Sequence, residues 1–287
     1  TWIQKIETMD RRWVFLIMFV ALSIPLFYPL KLPLRISPEV QGFYDFIEAL
    51  EPGDVVYLAG DYDPGAQAEL KPMMKATLGH LFRQDVKIVG ATLWPAGPSL
   101  VENALLEAGA EFGKEYGVDF VNLGFKEGRE SVMVQLGKSF RGIYPEDFNR
   151  RPLESLPLMA EKKPDGSWMV DNFTDVKAII NISAGYPGTK EWVQQVRSRY
   201  NIPMVSGCTA VSAPEYYPYV QSGQLAGLLG GLAGAAEYEL LTEQPGVATS
   251  GMAGQSLGHI TIVILILIGN ILYFINHLQT RKSGGVA

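Results

Sequence analysis

The chain has one cysteine, Cys208, and three histidines in 287 residues. A single thiol excludes an intramolecular disulfide and a cysteine-rich metal site, and it leaves the redox compartment open. Basic residues are not in excess: 24 Lys and Arg stand against 30 Asp and Glu, for a formal net charge of −6. That balance excludes the broad basic face of a general nucleic-acid binder. Phosphate fingerprints are missing too. The stretch GDYDPG has no following Lys-Ser/Thr, and no strand-like run leads into Gly-x-Gly-x-x-Gly. No nucleotide, metal or other cofactor is expected.

Long apolar runs are present, one near each end. Trp13–Leu30 (WVFLIMFVALSIPLFYPL) carries no charge, and Ile260–Ile275 (ITIVILILIGNILYFI) is broken only by Gly269 and Asn270. A spanning helix needs about 20 mostly apolar residues, and both runs reach that length with their flanks. Pro25, Pro29 and Pro33 and the lack of a small-residue cleavage site make the first run an anchor rather than a cleaved signal peptide. Arg281 and Lys282 follow the second run, whereas 250–258 before it has no Lys or Arg. The positive-inside rule then puts both termini in the cytoplasm and the intervening domain on the other side. The expected partition is a cytoplasmic segment 1–12, a span 13–30, a linker with a juxtamembrane helix 31–54, an α/β domain 55–245, a linker 246–258, a span 259–277 and a tail 278–287.

Between the spans, short Val/Ile-rich runs alternate with helical segments. Val55–Gly60, Val86–Trp94, Val118–Phe125, Val176–Ser183 and Ile202–Gly207 read as strands. Ala66–Phe82, Pro98–Gly117, Glu130–Phe140 and Gly188–Tyr200 read as their helices. This alternation predicts an α/β fold: a doubly wound, mostly parallel sheet, Rossmann-like or flavodoxin-like, held between two transmembrane helices. Pro38–Leu50 reads as a short extra helix, and 143–168 as a long polar excursion.

In such sheets ligands bind outside the carboxyl ends of the strands. That rule marks Asp61 and Asp63, Trp94, Ser183, and Cys208 with Thr209 as candidate ligand-binding residues. Asp61-x-Asp63 could hold Mg²⁺ or act as acid and base, but Asp-Pro-Gly is a turn signature in which Asp63 caps the next helix. Cys208 follows a strand, where a nucleophile would need a nearby base. His80 ends a helix, where a cation favours the dipole. Asn172-Phe-Thr174 and Asn181-Ile-Ser183 match the glycosylation acceptor pattern by coincidence. No catalytic residue is assigned.

The segment Gln221–Glu239 (QSGQLAGLLGGLAGAAEYE) reads as a glycine-rich helix. Each interior glycine costs about 1 kcal/mol relative to alanine. The segment is too short and too polar at its ends to span a membrane, and its glycines do not cluster at the start as a phosphate site would require. Gly223, Gly227 and Gly231 form one stripe, and Gly230 and Gly234 an adjacent one. With the Tyr216, Tyr217 and Tyr219 knob before them, they are expected to form an oligomer interface.

DYDPG after the first strand, with SAPEYYPYVQSGQLAGLLGGLAGAAEYE, resembles a set of uncharacterised prokaryotic membrane proteins with an N-terminal span, a Rossmann-like α/β domain and a C-terminal span. The resemblance implies this architecture and no activity. The sequence thus points to a membrane-anchored, non-enzymatic structural or accessory subunit whose partners are the lipid bilayer and either further copies of itself or a larger membrane complex. The alternatives are an extracytoplasmic small-molecule binding or sensory domain using the strand-end cleft and, third, a metal-dependent hydrolase or transferase using Asp61 and Asp63.

Overall fold

The computed structural model describes residues 10–27 and 35–283. Residues 1–9, 28–34 and 284–287 lie outside it, and with them the end of the first expected span. The chain divides into two units, Leu34–Thr249 and the segments flanking it.

The central unit is built on six parallel strands: β1 Val55–Asp61, β2 Lys87–Thr92, β3 Phe120–Phe125, β4 Ala178–Ser183, β5 Met204–Cys208 and β6 Leu228–Gly230. Their order is β3-β2-β1-β4-β5-β6, the Rossmann order with its switch point between β1 and β4. β1, β2 and β4 are buried along almost their whole length, as expected for strands covered on both faces. The helices Pro38–Glu48, Gln67–Arg83, Pro98–Phe112 and Gly231–Leu241 pack beside one another. A continuous apolar core joins Tyr57, Ala59 and Ile179 to Met133, Phe140, Phe173 and Trp192. The polar excursion supplies much of that core through Tyr144, Leu153, Leu156 and Met159, so it is structural rather than a loose loop.

The glycine-rich helix expected over Gln221–Glu239 does not form. A helix Ala213–Gln221 ends at its start, β6 occupies its middle, and a second helix, Gly231–Leu241, takes its end. Gly231 has φ +61, a left-handed conformation that breaks a helix and suits glycine. The i, i+4, i+8 stripe therefore has no helical surface to lie on. The glycines do permit close approach, but within this chain. A Cβ on Gly227 would overlap the backbone nitrogen of Phe43, and one on Gly42 would meet the carbonyl of Ala226 at 2.5 Å. At Gly234 it would lie 3.0 Å from the backbone of Leu229, and at Gly230 3.0 Å from the Cβ of Ala213. Gly223 sits in open space with φ +70. Tyr216 is buried, Tyr219 packs on the core and Tyr217 is partly exposed.

In the flanking unit, Arg11–Phe27 is a helix of 17 residues. The expected linker 246–258 is instead the first part of a 37-residue helix, Val247–Ser283. Its Val247–Ile275 stretch is long and apolar enough to cross a membrane, the one such helix among the described residues. Gly254 and Gly258, one turn apart, face Leu22 and Met18 of the Arg11–Phe27 helix. Small residues at this spacing let two helices pack closely.

Candidate functional site

Asp61 is the last residue of β1 and pairs in register with Ser183 at the end of β4. It therefore stands at the switch point, and it is fully buried. Strand alternation puts it on the same face as Tyr57, under Trp192, whose ring centroid is 5.5 Å from that of Tyr57. Four groups donate to its carboxylate. Oδ1 accepts from the Leu93 backbone N–H at 2.7 Å and the Thr92 hydroxyl at 3.3 Å. Oδ2 accepts from the Trp192 indole N–H at 2.6 Å and the Asn181 amide at 3.3 Å. A carboxylate offers about four acceptor positions, so the protein itself saturates this one. Burial raises its pKa to about 6, against the lowering by the Leu93, Trp192, Thr92 and Asn181 donors.

Asn181 extends the network across the sheet. Its carbonyl oxygen lies within hydrogen-bond reach of three hydroxyls, Ser183 at 2.8 Å, Thr189 at 3.1 Å and Ser206 at 3.3 Å. Thr189 and Ser206 share a 2.7 Å hydrogen bond, and the Thr189 backbone N–H donates to Ser183 Oγ at 3.1 Å. All of these residues are buried. Tyr57 and Tyr144 lie deep in the same core, their hydroxyls without a hydrogen-bond partner among the described residues. Burial pushes both phenols up, and the Asp61 charge adds to it.

The other sequence-marked residues take separate roles. Asp63 does not join Asp61: its carboxylate accepts from the Gly65 N–H at 2.9 Å and caps a short 3-10 turn. Trp94 donates its indole N–H to the Pro187 carbonyl at 2.8 Å, tying the loop after β2 to the loop after β4 above Gly185. Cys208 is buried, and burial pushes its thiol up to about 12, so it carries no thiolate near neutrality. Thr209 shares a 3.1 Å hydrogen bond with Ser212. Asn181 lies inside the sheet and cannot accept a glycan. Among the described residues no group of three His, Cys, Asp or Glu side chains is arranged to hold a metal.

His80 differs from its sequence reading. It is buried, and both ring nitrogens are engaged: Nε2 with Glu48 Oε1 at 2.8 Å and Nδ1 with the Tyr238 hydroxyl at 2.7 Å. Burial lowers its pKa although Glu48 acts to raise it, and the hydrogen bond from His80 in turn lowers that of Glu48. The consistent assignment is a neutral imidazole with its proton on Nε2, donating to an ionised Glu48, while Tyr238 donates to Nδ1. It is a joint between helices rather than a helix-end cation. A lone histidine in a helical run gives no sign of partners 32 and 158 residues away, so sequence reasoning missed it.

Two cavities stand apart from the switch point. One of about 270 Å³ is lined by Tyr44, Glu48, His80, Arg83 and Thr242. The other, about 370 Å³, lies along the Gln67–Arg83 helix and reaches Val247. No family model matches this chain, and no curated protein or solved structure is significantly similar to it.

Proposed function

We propose that this chain is a membrane-anchored, non-enzymatic accessory subunit whose Rossmann-like domain works by assembling with other subunits rather than by chemistry at the strand ends. The observation that carries the reading is the saturation of Asp61. In a dinucleotide-binding sheet the turn after β1 offers backbone N–H groups and a helix N-terminus to a pyrophosphate. Here that position holds a buried carboxylate, ionised above about pH 6, which repels phosphate. Its acceptor positions are already filled by four protein donors, which also disfavours the hydrolase or transferase reading.

Anchoring rests on Val247–Ile275. The packing of Gly254 and Gly258 on Leu22 and Met18 supports a second span beside it, with 13–30 and 259–277 as the membrane segments. The charge asymmetry at Arg281 and Lys282 supports cytoplasmic termini and an extracytoplasmic domain. Of the partner surface expected from sequence, Gly227, Gly230 and Gly234 are covered by the chain itself, while Gly223 and Tyr217 remain exposed.

The test is gentle extraction of the full chain from its native membrane, with mass measured by native mass spectrometry. The expected species is heavier than the 31.6 kDa protomer, through further copies or other subunits. A homogeneous lone protomer overturns the reading.

A further inference from the structure

The helix Val247–Ser283 is one continuous element of 37 residues. Its first turn is capped by Glu239, which accepts from the backbone N–H groups of Gly246 at 2.8 Å, Ala248 at 3.1 Å and Thr249 at 2.8 Å, and from the Thr249 hydroxyl at 2.7 Å. Beyond that start the helix has two faces of different chemistry. One meets the helix Arg11–Phe27: Gly258 lies against Leu22 and Met18, and Gly254 against the backbone of Leu22. Leu272, about four turns beyond Gly258 on the same side, is buried.

The other face carries Asn270, the one carboxamide inside the run Ile260–Ile275, and the histidines that bracket the run, His259 and His277. Asn270 stands 11 residues after His259 and 7 before His277. These are about three turns and two turns, so the three side chains share one stripe. At about 100° per residue that stripe lies about 120–160° around the helix from Gly258 and Leu272. All three of its residues are exposed. Val263, Ile266 and Phe274 flank Asn270 on this face, each more than half exposed.

The distance from His259 to His277 is about 27 Å at 1.5 Å per residue, close to the hydrocarbon thickness of about 30 Å. Asn270 is then about 10 Å inside the nearer boundary, where no water serves a polar group. A carboxamide has two N–H donors and a carbonyl with two acceptor positions. One N–H of Asn270 donates to the Ile266 carbonyl of its own helix at 2.9 Å. Its second N–H and its side-chain carbonyl have no partner among the described residues. Polar side chains within spanning helices face a neighbouring helix rather than lipid.

The chemistry selects the neighbour. All copies of one chain enter a bilayer in the same orientation, so identical residues lie at equal depth. The carboxamide is also self-complementary. Across a twofold axis along the membrane normal, each Asn270 offers its free N–H to the carbonyl of the other. A helix of unrelated sequence would need its own donor and acceptor at that depth, whereas a second copy has them by identity.

We infer that two copies of this chain pair in the membrane through the Asn270 face of the Val247–Ser283 helix. The helices run parallel, packed along Val263, Ile266 and Phe274, with the two Asn270 carboxamides bonded to each other. The inference rests on the membrane-anchored, assembling reading and names its partner and its contact face.

The test is thiol cross-linking of the full chain in native membranes with copper-phenanthroline. Wild type is the blank, because its single thiol, Cys208, is buried. Val263→Cys, on the Asn270 face, is expected to give a linked pair of twice the 31.6 kDa protomer mass. Ile264→Cys, one residue on and about 100° around the helix, should give at least fivefold less. In the Val263→Cys chain, Asn270→Leu should lower the linked fraction at least threefold, and Asn270→Gln, which keeps the carboxamide, should restore most of it.

Equal linking at positions 263 and 264 overturns the inference, as does a linked fraction that Asn270→Leu leaves unchanged. Linking of Val263→Cys to a different polypeptide, read from the product mass, overturns the choice of a second copy. If the natively extracted species is still heavier than a protomer, these results defeat only this face and leave assembly standing. A lone protomer, or release of the wild-type chain from membranes by carbonate washing, defeats the underlying reading itself.

Discussion

Trp192 donates its indole N–H to Oδ2 of Asp61 at 2.6 Å, under the carboxyl ends of β1 and β4. The bond joins the helical segment after β4 to the end of β1.

The folded-state pKa of Asp61, about 6, lies above the usual 3.8. Folding therefore takes up a proton between these values. The stability from this proton is complete below about pH 4 and is lost as pH rises through about 6. The difference corresponds to about 3 kcal/mol. Asp61→Asn should flatten that slope in denaturant titrations run from pH 4 to 7. It should also lower stability at every pH, because two of the four donors face an NH₂ group, each at about 1–3 kcal/mol. An unchanged pH profile in Asp61→Asn would refute the assignment.

His80 moves the other way. Its pKa is held below the usual value, so the unfolded chain binds the proton more tightly. Its contribution to stability is present above about pH 6.5 and falls on acidification. Glu48, held below its usual range, adds a loss in the same direction at lower pH. His80→Gln should remove the part of the slope beginning near pH 6.5. Nitrogen-15 shifts of the wild-type ring should identify Nε2 as the protonated nitrogen, and an Nδ1–H tautomer would contradict the hydrogen-bond assignment. Tyr238→Phe leaves Nδ1 buried without a donor and should cost about 1–3 kcal/mol.

Gly227→Ala and Gly223→Ala separate close packing from backbone strain. At Gly227 the new methyl overlaps the backbone of Phe43, which cannot move like a side-chain tip. A loss of about 3 kcal/mol is expected, at the upper end of overpacking costs. At Gly223 there is open space and φ +70, so only the left-handed strain of about 1–2 kcal/mol applies. Thermal unfolding of the detergent-solubilised chain measures both. Equal effects would show that the helix Pro38–Glu48 does not seat against Gly227.

Glu239→Gln replaces a charged acceptor at the start of the Val247–Ser283 helix by a neutral amide. Faster hydrogen exchange at Ala248 and Thr249 is expected, with a stability loss of about 1–2 kcal/mol. Unchanged exchange at these amides would mean that the helix start holds itself.

The sheet was legible because buried parallel strands read as Val/Ile runs, each followed by a helical period, and five of the six were found within about two residues. β6 was not. Three residues, Leu228–Gly230, are too short to show a period, and the glycines around them score alike for a helix, a bulge or a close backbone contact. That ambiguity is physical, since the partner making glycine necessary at 227 is Phe43, far away in sequence. The linker misread over 246–258 has a similar origin. Gly251, Gly254 and Gly258 look like flexibility, whereas Gly254 and Gly258 are contact points for Leu22 and Met18. At the candidate site, Asp61 was legible as a position and not as a role. Its donors come from β2, β4 and the segment after β4, and no local pattern marks a carboxylate as already satisfied.

The carboxylate of Glu239 has a mechanical consequence. Between the end of the Gly231–Leu241 helix and Val247 lie only five residues, and Glu239 bonds across them to Gly246, Ala248 and Thr249. A tug or twist on the first turn of the long helix is therefore transmitted by one side chain straight into the body of the domain. The five-residue connector, which would otherwise act as a slack joint, is bypassed.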